Sequence, residues 1–187
     1  RLFLGLFFTF AFAWVGLVIL PYFQFGRLQP EENSDPIEAG NIPLVPPPIP
    51  GDAQAGMHVY AANGCVYCHT QHVRPEWQGS DIARGWGTRR TVPQDYIREK
   101  RVFLGTMRTG PDLTNTGIRL SDAEWHHKHL YAPRSIAAYS TMPAYRFLYE
   151  VREIQGQRSP DALTDLPEKY APPPGRTTSK KCRLDHE

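Results

Sequence analysis

Cysteine is scarce in this chain, with Cys65, Cys68 and Cys182 the only three among 187 residues. Three thiols, two of them three positions apart, cannot build a disulfide framework. An excess of one charge is also missing. Lys and Arg number 21 against 19 Asp and Glu, a formal net charge of +2, and its even spread leaves no nucleic-acid footprint. Methionine is limited to Met57, Met107 and Met142, and charge is absent from Leu2 to Leu20. What is plentiful is backbone punctuation: 18 prolines and 15 glycines indicate long ordered loops or linkers rather than a dense core. The length leaves room for one domain plus appendages.

The uncharged run is LFLGLFFTFAFAWVGLVIL, interrupted only by Gly5, Thr9 and Gly16. At about 1.5 Å per residue, and continuing weakly to Phe25, it is long enough for a hydrocarbon core of roughly 30 Å. Trp14 lies inside the run, and Tyr22 and Phe23 near its end, where aromatic side chains favour the membrane interface. A cleaved signal peptide would have a shorter apolar core and a small-x-small site after it. Pro21-Tyr22-Phe23-Gln24-Phe25 offers none, so residues 1–26 are expected to be a retained transmembrane anchor. The chain begins at Arg1 rather than Met, and a preceding stretch is expected. Gly5, Ala11, Ala13 and Gly16 would let another helix approach closely, or are ordinary components of a lone anchor.

Residues 27–50 read as a linker. Glu31, Glu32, Asp35 and Glu38 lead into Pro43-Leu44-Val45-Pro46-Pro47-Pro48-Ile49-Pro50, which favours extended polyproline II and acts as a semi-rigid spacer. A head domain is expected over 51–160. Asp52 is a candidate helix cap, and Ala53 to Cys65 is compatible with a helix carrying Gly56 and Tyr60 on about one face. Ser121-Asp122-Ala123-Glu124 is a capping-box pattern that predicts a second helix ending before Pro133. Between them, residues 70–120 read mostly as loop, and a loop this long in a small domain usually wraps a ligand or faces a partner. Residues 161–187 are expected to form a poorly ordered, proline-rich tail.

The chemistry is concentrated in Cys65-Val66-Tyr67-Cys68-His69. Cys-x-x-Cys-His reads as a c-type haem attachment site: two thiols on one turn can each add to a haem vinyl group, and the adjacent imidazole can ligate the iron. A thioredoxin-like pair would not require the histidine, and a four-ligand zinc site needs a second ligand pair. One covalent haem c is therefore the expected cofactor, with Cys65 and Cys68 as tethers and His69 as axial ligand.

A shuttle for electrons needs a sixth ligand. Met57 lies in the helix before the attachment site, too near in sequence to reach the opposite haem face. Of the two remaining methionines, Met142 is favoured over Met107: it follows the second helix, and Pro143 biases its backbone to an extended shape. A thioether favours ferrous iron, so a His69/Met142 pair suits a high-potential relay. His126, His127 and His129 lack a thiol or carboxylate at metal-ligand spacing and read as surface residues or propionate hydrogen-bond donors. Arg84, Arg89, Arg90 and Arg108 are candidates for pairing with haem propionates or for a docking face.

The segments Asn63–Gln71, Val73–Asp81, Arg84-Gly85-Trp86-Gly87, Arg108–Leu113, Tyr131–Ser135 and Met142–Phe147 resemble the mono-haem subunit II of cbb-type cytochrome c oxidases, over roughly residues 1–160. The resemblance implies a mainly α chain: one N-terminal transmembrane helix plus a class I cytochrome c-like head with long loops. Thr109-Gly110-Pro111-Asp112-Leu113 resembles the Gly-Pro-x-Leu segment of class I cytochromes c. By that likeness the Pro111 carbonyl would accept a hydrogen bond from the His69 imidazole. The implied role is electron transfer toward a haem b and haem–copper catalytic subunit that reduces oxygen, with no catalysis on this chain. The implied partners are that subunit, a further cytochrome c subunit and membrane lipid. The implied location is the bacterial inner membrane, single-pass, with the haem domain on the periplasmic side. Family members usually close with an apolar helix packed near the equivalents of Gly56 and Tyr60, whereas residues 176–187 have almost no apolar content. Other readings are a free-standing anchored carrier, a mono-haem subunit of a nitric oxide reductase and a haem peroxidase. The last would want an open distal site and usually a second haem motif.

Overall fold

The computed structural model describes residues 1–30 and 46–181, and the chain is mainly helical. The linker expected at 27–50 therefore falls largely outside the described residues, as does Cys182. Contacts divide the chain into two units, Arg1–Thr114 and Asn115–Glu187.

The first unit begins with α1, Leu2–Phe25, a helix of 24 residues long and apolar enough to cross a membrane. Pro21 has no amide proton to donate to the carbonyl four residues back. The turns just before it, Val15–Ile19, open to π-helical hydrogen bonding.

Helix α2 spans Gly51–Ala62. Pro50, in extended backbone, occupies the cap position, and Asp52 lies in the first turn without a side-chain cap bond. The expectation that Asp52 caps the helix is thus corrected by two residues, the cap being Pro50, although the Asp52 charge still complements the helix dipole. The helix stops at Asn63, whose side-chain amide donates to the Val59 carbonyl at 2.8 Å. Gly64 then takes a left-handed conformation, φ 68°, which a side chain would strain. That reversal launches the 3-10 turn Cys65–Tyr67.

Beyond it, residues 70–114 are mostly loop, interrupted by the 3-10 turn Pro93–Tyr96. Few apolar side chains hold this loop: among the described residues of the unit, Val73 and Phe103 are the buried ones, and Phe103 meets Tyr60 edge to face at 5.3 Å. Backbone pairs supply the rest, Gln71 to Leu104 at 3.1 Å, Thr91 to Val73 at 3.1 Å and Leu113 to Thr70 at 2.8 Å. Polar clasps complete it. The Gln94 amide donates to the Gln29 carbonyl at 2.8 Å, and Arg98 Nε to the Pro46 carbonyl at 2.9 Å.

The second unit contains α3 (Thr116–Arg119), α4 (Ala123–Tyr131), α5 (Pro133–Ile136), β1 (Tyr149–Glu153) and β2 (Arg176–Lys180). Asp122 caps α4 by accepting the Glu124 amide at 2.9 Å. The Glu124 carboxylate turns instead to the amide and hydroxyl of Thr164. Tyr131, Ala132, Tyr149 and Leu163 form the core, flanked by Leu130, Leu148, Leu166 and Tyr170.

Strands β1 and β2 pair antiparallel, Tyr149 opposite Lys180 and Glu153 opposite Arg176. This corrects the expectation of a poorly ordered tail over 161–187 for the part described. Thr177, Thr178 and Ser179 are buried, and Leu163 donates to the Thr178 carbonyl at 2.8 Å. Main-chain pairing orders a stretch that has little apolar content of its own.

Candidate functional site

The 3-10 turn carries both thiols and delivers the imidazole. Its bonds run from the Cys68 amide to the Cys65 carbonyl at 3.2 Å and from the His69 amide to the same carbonyl at 3.0 Å. Cys65 is half-buried and Cys68 exposed. The five motif residues therefore occupy one tight turn, with Gly64 setting its direction.

A second segment clasps this turn. The Gly110 amide donates to the Cys68 carbonyl at 2.9 Å, and His69 Nδ1 lies 2.7 Å from the Pro111 carbonyl oxygen. A carbonyl can only accept, so Nδ1 carries the proton and Nε2 keeps its lone pair for a metal. Gly110 makes the approach possible: a β-carbon there would stand 2.2 Å from His69 Cε1. The clasp fixes the tautomer and the plane of the ring together.

Behind the clasp lies a polar hub that the sequence pattern did not single out. Asp112 is fully buried. Its Oδ2 accepts the Thr70 hydroxyl at 2.5 Å and the His72 amide at 2.9 Å, and Oδ1 accepts the Thr114 amide at 2.8 Å. Arg108 reaches Thr70 Oγ1 at 2.7 Å, the His72 carbonyl at 2.8 Å, Asp81 at 2.6 Å and Asp112 at 3.5 Å. Asp81 also accepts the Arg74 amide at 2.7 Å. Burial pushes the Asp81 carboxyl up, but the bonds and charge of Arg108 and the Arg74 amide outweigh it and hold the group below the usual carboxylate range. Thr70 follows His69 and Asp112 follows Pro111, so the hub binds together the two segments that present the imidazole. The sequence signal was the Arg-Thr-Gly-Pro-Asp-Leu string itself, which does not disclose its distant partners.

The remaining candidates are placed as follows. Met142 is half-buried in the second unit, its amide 3.2 Å from Ser140 Oγ. Met107 is 58% exposed in the first. His126 Nε2 bonds the Leu120 carbonyl at 2.7 Å, and His127 Nδ1 bonds the Tyr149 hydroxyl at 3.0 Å. His129 stacks on Trp125 at 4.9 Å. Arg89 forms two bonds to Asp95, at 2.9 and 2.7 Å.

Two thiols and an imidazole Nε2 on one turn, backed by a glycine wall, form the donor set that a haem of the cytochrome c class requires. The family model for the cytochrome c oxidase mono-haem subunit, FixO, matches residues 42–167. That match covers more than half of the chain, and the chain belongs to this family of haem-bearing oxidase subunits. No curated protein matches it.

Proposed function

We propose that this chain is the electron-relay subunit of a membrane-bound, cbb-type terminal oxidase, carrying one covalent haem c. Cys65 and Cys68 would tether the haem through thioethers, and His69 and Met142 would ligate its iron. The haem supplies a one-electron Fe(III)/Fe(II) couple. The chain's own residues do the positioning. Pro111 holds the Nδ1 proton of His69, Gly110 walls the ring, and the Arg108 hub fixes both segments. The observation that carries this reading is the 2.7 Å contact between His69 Nδ1 and the Pro111 carbonyl, made by the turn that bears both thiols. With the proton on Nδ1, Nε2 is the ring nitrogen that can ligate a metal, on the same turn as Cys65 and Cys68.

Electrons pass from here toward a haem–copper catalytic subunit, and a further cytochrome c subunit of the oxidase is the other partner. Residues 1–26 anchor the chain in the bacterial inner membrane, 27–50 are the spacer, and 51–160 the haem head on the periplasmic side. Support for the anchor is the length and apolar character of Leu2–Phe25.

The test is extraction of the purified chain with acidified acetone, followed by a pyridine haemochrome spectrum of the pellet. A c-type spectrum is expected in the pellet, lost in the Cys65→Ser/Cys68→Ser double variant. Haem that leaves entirely with the solvent in wild type contradicts covalent attachment.

A further inference from the structure

Sequence leaves Arg84, Arg89, Arg90 and Arg108 as equal candidates for pairing with propionates; the structure separates them. Arg89 is committed to Asp95, and Arg108 to Asp81, Thr70 and His72. Arg84 instead lines a cleft of about 380 Å³ whose lining includes Thr109, Gly110 and Pro111, and Arg90 does not. The charged groups lining this cleft are Arg74, Arg84, Arg108 and Asp81. Asp81 and Arg108 neutralise each other at 2.6 Å, which leaves the cleft with the positive charges of Arg74 and Arg84.

Trp86 gives the cleft an aromatic wall. The Arg84 guanidinium centre lies 5.2 Å from its ring centroid, and that of Arg108 5.3 Å from the same ring. The indole steadies Arg84 without supplying an anion, so the planar fork remains matched to an incoming carboxylate. The same Gly110–Pro111 segment contacts the His69 ring and lines the cleft, so the basic pocket adjoins the metal-ligand segment.

We propose that this cleft is an anion site for a haem propionate, with Arg84 as the principal cation and Arg74 as the second. The inference rests on the haem reading above. A porphyrin brings two carboxylates that cannot stay charged in a partly buried site without partners. In the first unit, Arg84 and Arg74 are the guanidiniums that the cleft offers beyond the internal Arg108–Asp81 pair.

The experiment uses the full chain, matured with haem in membranes and extracted in mild detergent. Resonance Raman propionate bending bands and the pH dependence of the haem potential are measured for wild type, Arg84→Gln, Arg84→Lys, Arg74→Gln and Arg90→Gln. Arg84→Gln is expected to shift the propionate band and raise the redox-linked propionate pKa by about 1 to 3 units, the scale of a lost opposite charge at close range. Arg84→Lys should recover part of that shift, Arg74→Gln should give a smaller one, and Arg90→Gln should give none. If Arg84→Gln fails to accumulate, Arg84→Lys and Arg74→Gln provide the same readout. Haem-loaded Arg84 and Arg74 variants with wild-type bands and pH profile overturn the inference. Wild-type chain without covalent haem overturns the underlying reading instead.

Discussion

Gly110 and His69 are fitted to each other at a spacing that admits no side chain between them. A β-carbon on residue 110 would stand 2.2 Å from Cε1, 2.7 Å from Nδ1 and 2.8 Å from Nε2 of the imidazole. The bare backbone lets the next residue, Pro111, place its carbonyl on Nδ1. Ring orientation and proton location are therefore consequences of one missing methyl group.

Gly110→Ala is expected to push the ring off Pro111 at an overpacking cost of about 1–3 kcal/mol. The yield of covalently haem-loaded chain should fall, and the chain that matures should lose the low-spin spectrum of a well-placed imidazole. Quantitative haemochrome per protein and electronic absorption of the variant check this. A fully loaded, low-spin variant would show that the close approach is dispensable.

Met142→Ala should open the sixth position of the haem. The ferric protein is expected to become high-spin, the ferrous protein to bind carbon monoxide, and the potential to fall with the loss of the thioether. Six-coordinate spectra and an unchanged potential in this variant would transfer the assignment to another ligand, for which Met107→Ala is the parallel measurement.

Arg108→Ala removes one partner of a largely buried ion cluster and strands Asp81 and Asp112. The expected loss is about 3–5 kcal/mol of stability, read as a lower urea midpoint. The Asp81 carboxyl, held below its ordinary value of 3.8, adds a pH signature. A lowered folded-state value gives stability that is present above 3.8 and lost as pH falls through the folded value. Asp81→Asn should flatten that acid limb while lowering stability at neutral pH.

His127 gives a second limb at higher pH. Burial lowers its pKa below the ordinary 6.5, and the charges of Lys180 and His126 lower it further against the opposing pull of Asp161. The folded state therefore binds the proton less readily than the unfolded chain. Stability is fully present above pH 6.5 and falls as pH drops through the folded value. Chemical denaturation on either side of that pH should show the loss, and His127→Gln should remove it.

What was legible in the sequence was local. The start of α4 near Asp122, the Cys-x-x-Cys-His turn at 65–69 and the apolar helix at the N-terminus are each determined by neighbours within one or two helical turns. The cap of α4 is nevertheless Asp122, and the Glu124 carboxylate turns to Thr164 rather than closing a capping box with Ser121. Asp52 does not cap α2 because Pro50, extended and without an amide proton, takes the cap position two residues earlier. The Arg108 hub was not legible, since its partners Asp81, His72 and Thr70 lie 27, 36 and 38 positions away. The order of Arg176–Lys180 was hidden for a different reason. Its threonines and serine show no apolar alternation, and what buries them is the register against β1 and the loop around Leu163. Charge pairing and strand pairing over long separations leave little trace in one sequence, whereas caps and motif spacing do.

The measurement that bears most directly on the central claim is purification of this chain from its native membranes in mild detergent. Reduced-minus-oxidised and carbon monoxide difference spectra would be recorded on the purified material together with oxygen uptake. Haem b, a carbon monoxide-binding haem and oxygen reduction should travel with the c-type signal of this chain in constant ratio. A c-type signal that purifies alone, with no oxygen uptake and no haem b, would contradict the oxidase relay and identify an independent anchored carrier.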